Sequence, residues 1–300
     1  MFAGLLTKVG VYAMVRTETL LFPGDALNGP LMVAALLTMV VGILGALAQS
    51  DIKRLLSFTL VSHIGYMVFG LAMSTVAGLG AAVFYVAHHI TVQTSLFLVT
   101  GLIERRGGSS SMDRVAGLAK LSPVLGVLFF IPAMNLAGIP PFSGFLGKLG
   151  LLQAGVELGT PLAYALVIGG VLTSLLTLLA IARVWNRAFW RKPGDAEHPD
   201  PVLLAAPADS ATGDRAGKTN VTLLPRTMVG STLGLVVFGV ALTVFAGPLF
   251  RVADQSAEEM LDRSPYIHAV LGEDVPVPPV PPAAQPGPRQ QQDQPQGGGK

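Results

Sequence analysis

The stretch Ala137-Gly-Ile-Pro-Pro-Phe-Ser-Gly-Phe-Leu-Gly-Lys148 decides how this chain is read. It sits inside an apolar run of about residues 121–155, too long for one simple membrane crossing. Two adjacent prolines remove two backbone donors and clash with the preceding helical turn. Glycines on both sides permit an unwound stretch. The expectation is a discontinuous helix, broken near Pro140–Pro141, with Lys148 just after the break. Broken helices at membrane depth occur where the backbone lines a cavity or a pathway.

Six further apolar segments flank this run, at about 2–15, 30–50, 56–75, 79–103, 161–184 and 228–250. Of the 300 residues only 13% are charged, about half the share of a soluble domain. Mean hydropathy is +0.59. The fold class is therefore all-α: a polytopic membrane helix bundle of about seven spanning segments. There is no cysteine, which excludes disulfides, iron–sulfur ligation and thiolate zinc sites. The basic residues are spread over loops without a stacking platform, so nucleic acid is not a partner. Met1–Leu21 carries Lys8 where a signal peptide would be purely apolar, so no cleavable signal is read. The first segment reads as a helix whose upstream part is missing.

Lysine and arginine counts orient the bundle. One side collects Lys53, Arg54, Arg105, Arg106, Arg114, Lys120, Arg183, Arg187, Arg191, Lys192, Arg215, Lys218 and Arg226. The other holds Arg16, Arg251, Arg263, Arg289 and Lys300. The first side is expected to be cytoplasmic and the C-terminal tail external. By domain, residues 1–250 are expected to form the transmembrane unit, with a polar cytoplasmic loop at 192–227. Residues 251–271 are expected as an external amphipathic segment. Residues 272–300 are Pro-, Gln- and Gly-rich and are expected to be disordered.

Ionisable residues inside the apolar segments are the candidate functional groups. A lysine at bilayer depth costs roughly 2.5–3.5 kcal/mol on insertion scales. Lys8 and Lys148 both lie in such surroundings. A proton-carrying role competes with snorkelling from a helix end, which is easier for Lys8 than for Lys148. His63, His88 and His89 are the histidines of these segments. Histidine titrates near neutral pH, which suits a shuttle, while the alternative is an interhelical polar contact. Adjacent residues on a helix point about 100° apart, so one of His88 and His89 is expected to face a pathway and the other a neighbouring helix. Ser62, Thr91, Gln93, Thr94 and Ser95 read first as packing residues. Asp51-Ile-Lys-Arg54 and Glu104-Arg-Arg106 read as orienting charges at helix ends. No phosphate-binding loop, serine-nucleophile setting or metal-ligand spacing is present, and His88-His89 alone is a weak metal signal.

Three blocks carry a family resemblance. They are Gln49-Ser-Asp-Ile-Lys-Arg-Leu-Leu-Ser-Phe-Thr-Leu-Val-Ser-His-Ile-Gly-Tyr66, Tyr85-Val-Ala-His-His89 followed by Ser95-Leu-Phe-Leu98, and Gly138–Lys148. Together they resemble the antiporter-like membrane subunits shared by respiratory complex I and the multisubunit cation/proton antiporters. His88-His-Ile-Thr-Val92, Gly101-Leu-Ile-Glu-Arg-Arg-Gly107 and Pro265-Tyr-Ile-His-Ala-Val-Leu271 are most similar to the D-type subunits of Mrp-type Na+/H+ antiporters.

The resemblance implies a fold with two inverted five-helix repeats, each containing a broken helix and half of a proton path. It implies a relay through Lys8, His63, His89 and Lys148, with His88 in support and no cofactor. It implies partner subunits of a hetero-oligomeric antiporter in a bacterial cell membrane, with protons and Na+ as cargo. A proton-pumping subunit of complex I or of a membrane-bound hydrogenase is the alternative within the fold. Two departures stand out. Gln93 occupies a position where many members have lysine. The family's first seven helices, with their glutamate and lysine, have no counterpart, so the expectation is the C-terminal three-fifths of such a subunit. A non-conducting structural or assembly role is the corresponding alternative.

Overall fold

The computed structural model describes residues 2–196 and 224–272, and it is helical almost throughout. Helix α1 spans Phe2–Leu21, α2 Asn28–Leu47, α3 Ile52–Ala72 and α4 Val76–Gly107. A short turn, α5 (Leu118–Leu121), leads into α6 (Pro123–Ala137) and α7 (Ser143–Leu158). Helix α8 (Pro161–Val184) runs on as a π-helical turn, Trp185–Trp190. Helices α9 (Arg226–Val244), α10 (Ala246–Leu261) and α11 (Ser264–Leu271) complete the described chain. Most of the 192–227 loop and nearly all of the 272–300 tail lie outside the described residues.

The starts of the helices are written locally. Asp51 accepts from Arg54 N at 3.1 Å, Thr75 from Gly78 N at 3.1 Å and Thr160 from Ala163 N at 3.2 Å. Each side chain thereby satisfies one of the donors left free in a first helical turn. Pro161 follows Thr160 at the first helical position, where its missing N–H costs nothing.

The seven expected crossings are α1, α2, α3, α4, the α6–α7 pair, α8 and α9. Five of them, α2, α3, α4, α8 with its π-turn, and α9, are long and apolar enough to span by themselves. Helices α6 and α7 have 15 and 16 residues, each short of the roughly 20 needed to cross the hydrocarbon core. They cross as one interrupted element, with the interruption at residues 138–142. The chain is thus a multi-pass membrane protein. Some limits differ from expectation. Helix α4 has 32 residues and continues to Gly107, where Gly108 turns left-handed at φ 78°. Helix α9 ends at Val244, and α10 then runs beside the first turns of α4, with Phe250 stacked on Phe84 at 4.0 Å.

The outer helices show the inverse of a soluble surface. Val33, Leu37, Val41 and Leu44 form an exposed stripe on α2, and Ile168, Leu172, Leu175 and Leu179 form another on α8. Such stripes suit lipid tails. Helices α3 and α4 lie at the centre, and most of their residues are buried. Small residues bring α2 and α3 close: a Cβ on Gly42 would fall 2.5 Å from Ser62 N, and one on Gly65 would fall 2.7 Å from Met39 N. Ser62 Oγ then donates to Met39 O at 2.8 Å.

The basic residues gather at one end as the charge count requires. Lys53 pairs with Glu104 at 2.5 Å and Arg187 with Asp113 at 3.0 Å. Arg191 donates to Met112 O at 2.6 Å, and Arg183 to Leu47 O. Ser110 donates to Asp51 at 2.6 Å. These contacts join the start of α3 to the end of α4 and the end of α8. Two apolar clusters fill the bundle. One, toward the basic end, contains Leu55, Leu56, Val92, Leu96 and Phe129. The other, toward the opposite end, contains Phe69, Ala82, Leu151 and Leu166. The residues lying between the two clusters are the polar ones.

Candidate functional site

A buried polar layer crosses the bundle between those clusters. His63, His88 and His89 are fully buried, and Lys8 and Lys148 are each 4% exposed. Helix α3 contributes His63 and Tyr66, α4 contributes Tyr85, His88, His89 and Gln93, and α7 contributes Lys148. Lys8 arrives from α1 on the flank of α4.

The helix break creates the Lys148 site. Gly138 closes α6 in the left-handed region, at φ 82°, which glycine adopts without penalty. The last carbonyls of α6 are left without helical partners, and Lys148 Nζ donates to two of them, Leu136 O at 3.2 Å and Ala137 O at 3.1 Å. A cation there also faces the negative end of the α6 dipole. The Tyr66 ring lies 5.3 Å from Nζ, within cation–π range. A Cβ at Gly138 would come within 3.2 Å of Nζ, so the glycine also makes room for the ammonium. No carboxylate neutralises Lys148 among the described residues.

The other side of the break holds His88. Its Nδ1 lies 3.0 Å from Ser143 Oγ in the first turn of α7. Ser143 Oγ also lies 3.3 Å from Asn135 Oδ1, which accepts from Gly144 N at 2.9 Å. Ser143 has one proton, so its choice of acceptor is coupled to the tautomer of His88. Ser143 N donates to Thr243 Oγ1 of α9 at 2.9 Å. The first turn of α7 is therefore held through its backbone by α6 and α9 and through the Ser143 hydroxyl by α4.

Between the two histidine positions stands Tyr85. Its phenolic oxygen is 2.7 Å from His63 Nδ1, and its ring centroid is 5.4 Å from that of His88. The His63 and His89 rings are 4.9 Å apart. The nitrogens His63 Nε2, His88 Nε2 and both of His89 have no protein partner. Tyr66 hydroxyl bonds to α8, through Gly170 O, Thr173 Oγ1 at 2.7 Å and Ser174 Oγ at 2.8 Å. The row runs His89, His63, Tyr85, His88, with Lys148 and Tyr66 beside it.

Lys8 enters at the far end. The first turn of α1 lies against Thr94, and Lys8 Nζ is 3.3 Å from Thr7 Oγ1. Lys8 also lines an apolar cavity of about 280 Å³ with Val83, Val86 and Ser256. Gln93 Nε2 donates to Leu56 O at 2.7 Å, and its Oε1 has no protein partner. At this position the chain has a neutral donor tied to α3.

All five ionisable residues singled out in the sequence lie in one layer. His88 makes the contact to a neighbouring helix, and His89 keeps both nitrogens unpartnered. Sequence reasoning missed Tyr85, Ser143 and Asn135. Tyr85 stands three and four residues before His88 and His89, which puts it one helical turn away on nearly the same face; that spacing was the available signal. Asn135 and Ser143 carried none, because the break alone brings them together.

A buried Lys/His layer thus lies beside the broken helix. The family described as "NADH:quinone oxidoreductase/Mrp antiporter, TM" matches residues 1–177. The chain belongs to this family. The matched region contains Lys8, His63, His88, His89 and Lys148. Among curated relatives, the D-type Na(+)/H(+) antiporter subunit of Alkalihalophilus pseudofirmus is 38% identical over 277 residues, covering 91% of this chain and 51% of the relative. Its Bacillus subtilis counterpart is 34% identical over 275 residues, with the same coverage. The chain spans about half the length of these curated relatives. A chain of the Mrp complex from Dietzia sp. superposes with a TM-score of 0.76 at 34% identity, over 91% of this chain and 55% of that one. A chain of respiratory complex I from Thermus thermophilus gives 0.62 at 23% identity, over 85% and 50%, a likeness of fold.

Proposed function

We propose that this chain belongs to a proton-translocating subunit of a multisubunit monovalent cation (Na+)/proton antiporter, working with partner subunits. The observation that carries this is the fully buried row of His89, His63, Tyr85 and His88 beside Lys148, with four ring nitrogens unpartnered. Protons would pass between these groups along waters, each lysine alternating between charged and neutral forms. The α6 carbonyls hold the charged form of Lys148, and no carboxylate among the described residues locks it there. The 34–38% identity to the D-type antiporter subunits favours cation exchange over the redox-coupled members, whose likeness is one of fold. The basic end would face the cytoplasm of a bacterial cell, and α10 and α11 the exterior.

The test is Lys148→Ala in the full-length protein with its partner subunits. Na+/H+ exchange in everted vesicles should fall to background at normal expression. Unchanged exchange would remove Lys148 from the path.

A further inference from the structure

At the end of the bundle opposite the basic loops, three side-chain oxygens share too few protons. Ser74 Oγ lies 3.0 Å from Glu18 Oε1 and 2.8 Å from Asn28 Oδ1. The amide of Asn28 is oriented independently, because its Nδ2 donates to Asp25 Oδ1 at 3.0 Å. Turning it over would set an oxygen against the Asp25 carboxylate. Asn28 Oδ1 and Glu18 Oε1 thus compete for the Ser74 proton, and a hydroxyl has one proton to give. With that proton on Asn28, a protonated Glu18 carboxyl completes the 3.0 Å contact by donating to Ser74.

The surroundings agree with a neutral acid. Glu18 is 6% exposed, the only buried acid among the described residues. No lysine or arginine among those residues is ion-paired with it. Arg16, on its own helix, stands over the Tyr266 ring of α11 at 5.4 Å. Asp25, in the α1–α2 connection, is turned to Asn28, and the α3–α4 turn contributes Ser74 and no charge. Beside Glu18 is a cavity of about 300 Å³ whose other lining residues, Met14, Phe22, Leu27, Leu31 and Leu71 among them, are uncharged. Ser74 itself is held at φ 48°, a conformation unusual for a residue other than glycine.

Position gives this group a direction. Lys8, Val11, Val15 and Glu18 share the buried face of α1. Ten residues of helix separate Glu18 from Lys8, about 15 Å. Asp25 and Asn28 reach the solvent side, so Asp25, Asn28, Ser74 and Glu18 lead from the surface to a buried acid.

We propose that Glu18 is a proton-binding site at this end of the bundle and that Ser74 reports its state to α2. With the proton bound, Glu18 donates to Ser74 and Ser74 donates to Asn28. When the proton leaves, the Ser74 hydroxyl turns to the carboxylate and Asn28 Oδ1 loses its donor. As a proton-binding site, Glu18 stands on this hydrogen count. As the port of a path toward Lys8, it rests on the function proposed above.

The experiment uses the full-length protein in its complex, reconstituted in membranes, with Glu18→Gln, Ser74→Ala and Lys148→Ala variants. Infrared difference spectra across a pH titration read the carbonyl stretch of a protonated carboxyl, and vesicle assays read exchange. A band that disappears in Glu18→Gln and shifts in Ser74→Ala is the expected result. Spectra of wild type and Glu18→Gln that coincide at every pH would overturn the site. Exchange lost in both Glu18→Gln and Lys148→Ala supports the port. Exchange lost in Lys148→Ala but intact in Glu18→Gln overturns the port and leaves the path. The band present with exchange intact in both variants overturns the proposed path and leaves the proton site. The amide of Glu18→Gln keeps a donor toward Ser74, so folding and assembly should be unchanged.

Discussion

The hydroxyl of Tyr85 on α4 and Nδ1 of His63 on α3 meet at 2.7 Å in a fully buried setting. This bond ties the two central helices together at the level of the polar layer and gives His63 a partner that both donates and accepts. Tyr85→Phe keeps the ring and deletes the oxygen. It leaves His63 with a second unpartnered nitrogen, at a cost of about 1–3 kcal/mol. Exchange should slow markedly while the subunit still assembles. Wild-type exchange rates in this variant would take Tyr85 out of the row.

Lys148→Arg separates charge from titration. Arginine stays protonated, and its planar fork does not match two carbonyls spaced for an ammonium. A relay that needs the neutral form should therefore fail in Lys148→Arg as fully as in Lys148→Ala. Recovery of exchange with arginine would show that a fixed positive charge suffices.

Gly144→Ala tests the packing of the break. A Cβ there would fall 2.0 Å from Asn135 O and 2.9 Å from His88 Cε1, and the first of these is backbone. The first turn of α7 must shift, costing about 1–3 kcal/mol or more. Thermal unfolding in detergent should move down accordingly, and a melting curve that matches wild type would show that α7 slides at no cost.

The Lys53–Glu104 pair should matter little to stability. Both side chains are nearly half exposed, 45% and 46%, so the pair contributes between about 0 and 1 kcal/mol. Glu104→Gln should leave melting within that range, and the difference should shrink further in high salt. A large loss would mean that the pair acts inside a wider network at the basic end.

Much of the fold was legible because the bilayer imposes length and hydropathy on each crossing. The segments at about 30–50 and 161–184 can be read as spans without any partner, since lipid is their solvent on one side. The Pro140–Pro141 break was equally legible, being a matter of missing donors and local sterics. Helix limits were less so. The extension of α1 to Leu21 brings in Arg16 and Glu18, whose partners Tyr266 and Ser74 are distant in sequence. The end of α9 at Val244, short of the expected 250, leads into α10, which packs on α4 through Phe250 and Phe84.

At the site, residue types were legible and contacts were not. A lysine or histidine in an apolar run announces itself through its desolvation cost. Nothing in the run announces which acceptor receives it. The chain alone announced seven apolar segments, one broken helix, a basic end and five ionisable residues inside apolar segments, because these follow from local sterics and from transfer of each segment into lipid. Only the tertiary structure decided that Lys148 bonds the open end of α6, that Tyr85 joins His63, and that Glu18 shares one hydroxyl with Asn28. Those contacts depend on how helices far apart in sequence cross, and the crossing is set by small residues and close backbone approach rather than by hydropathy.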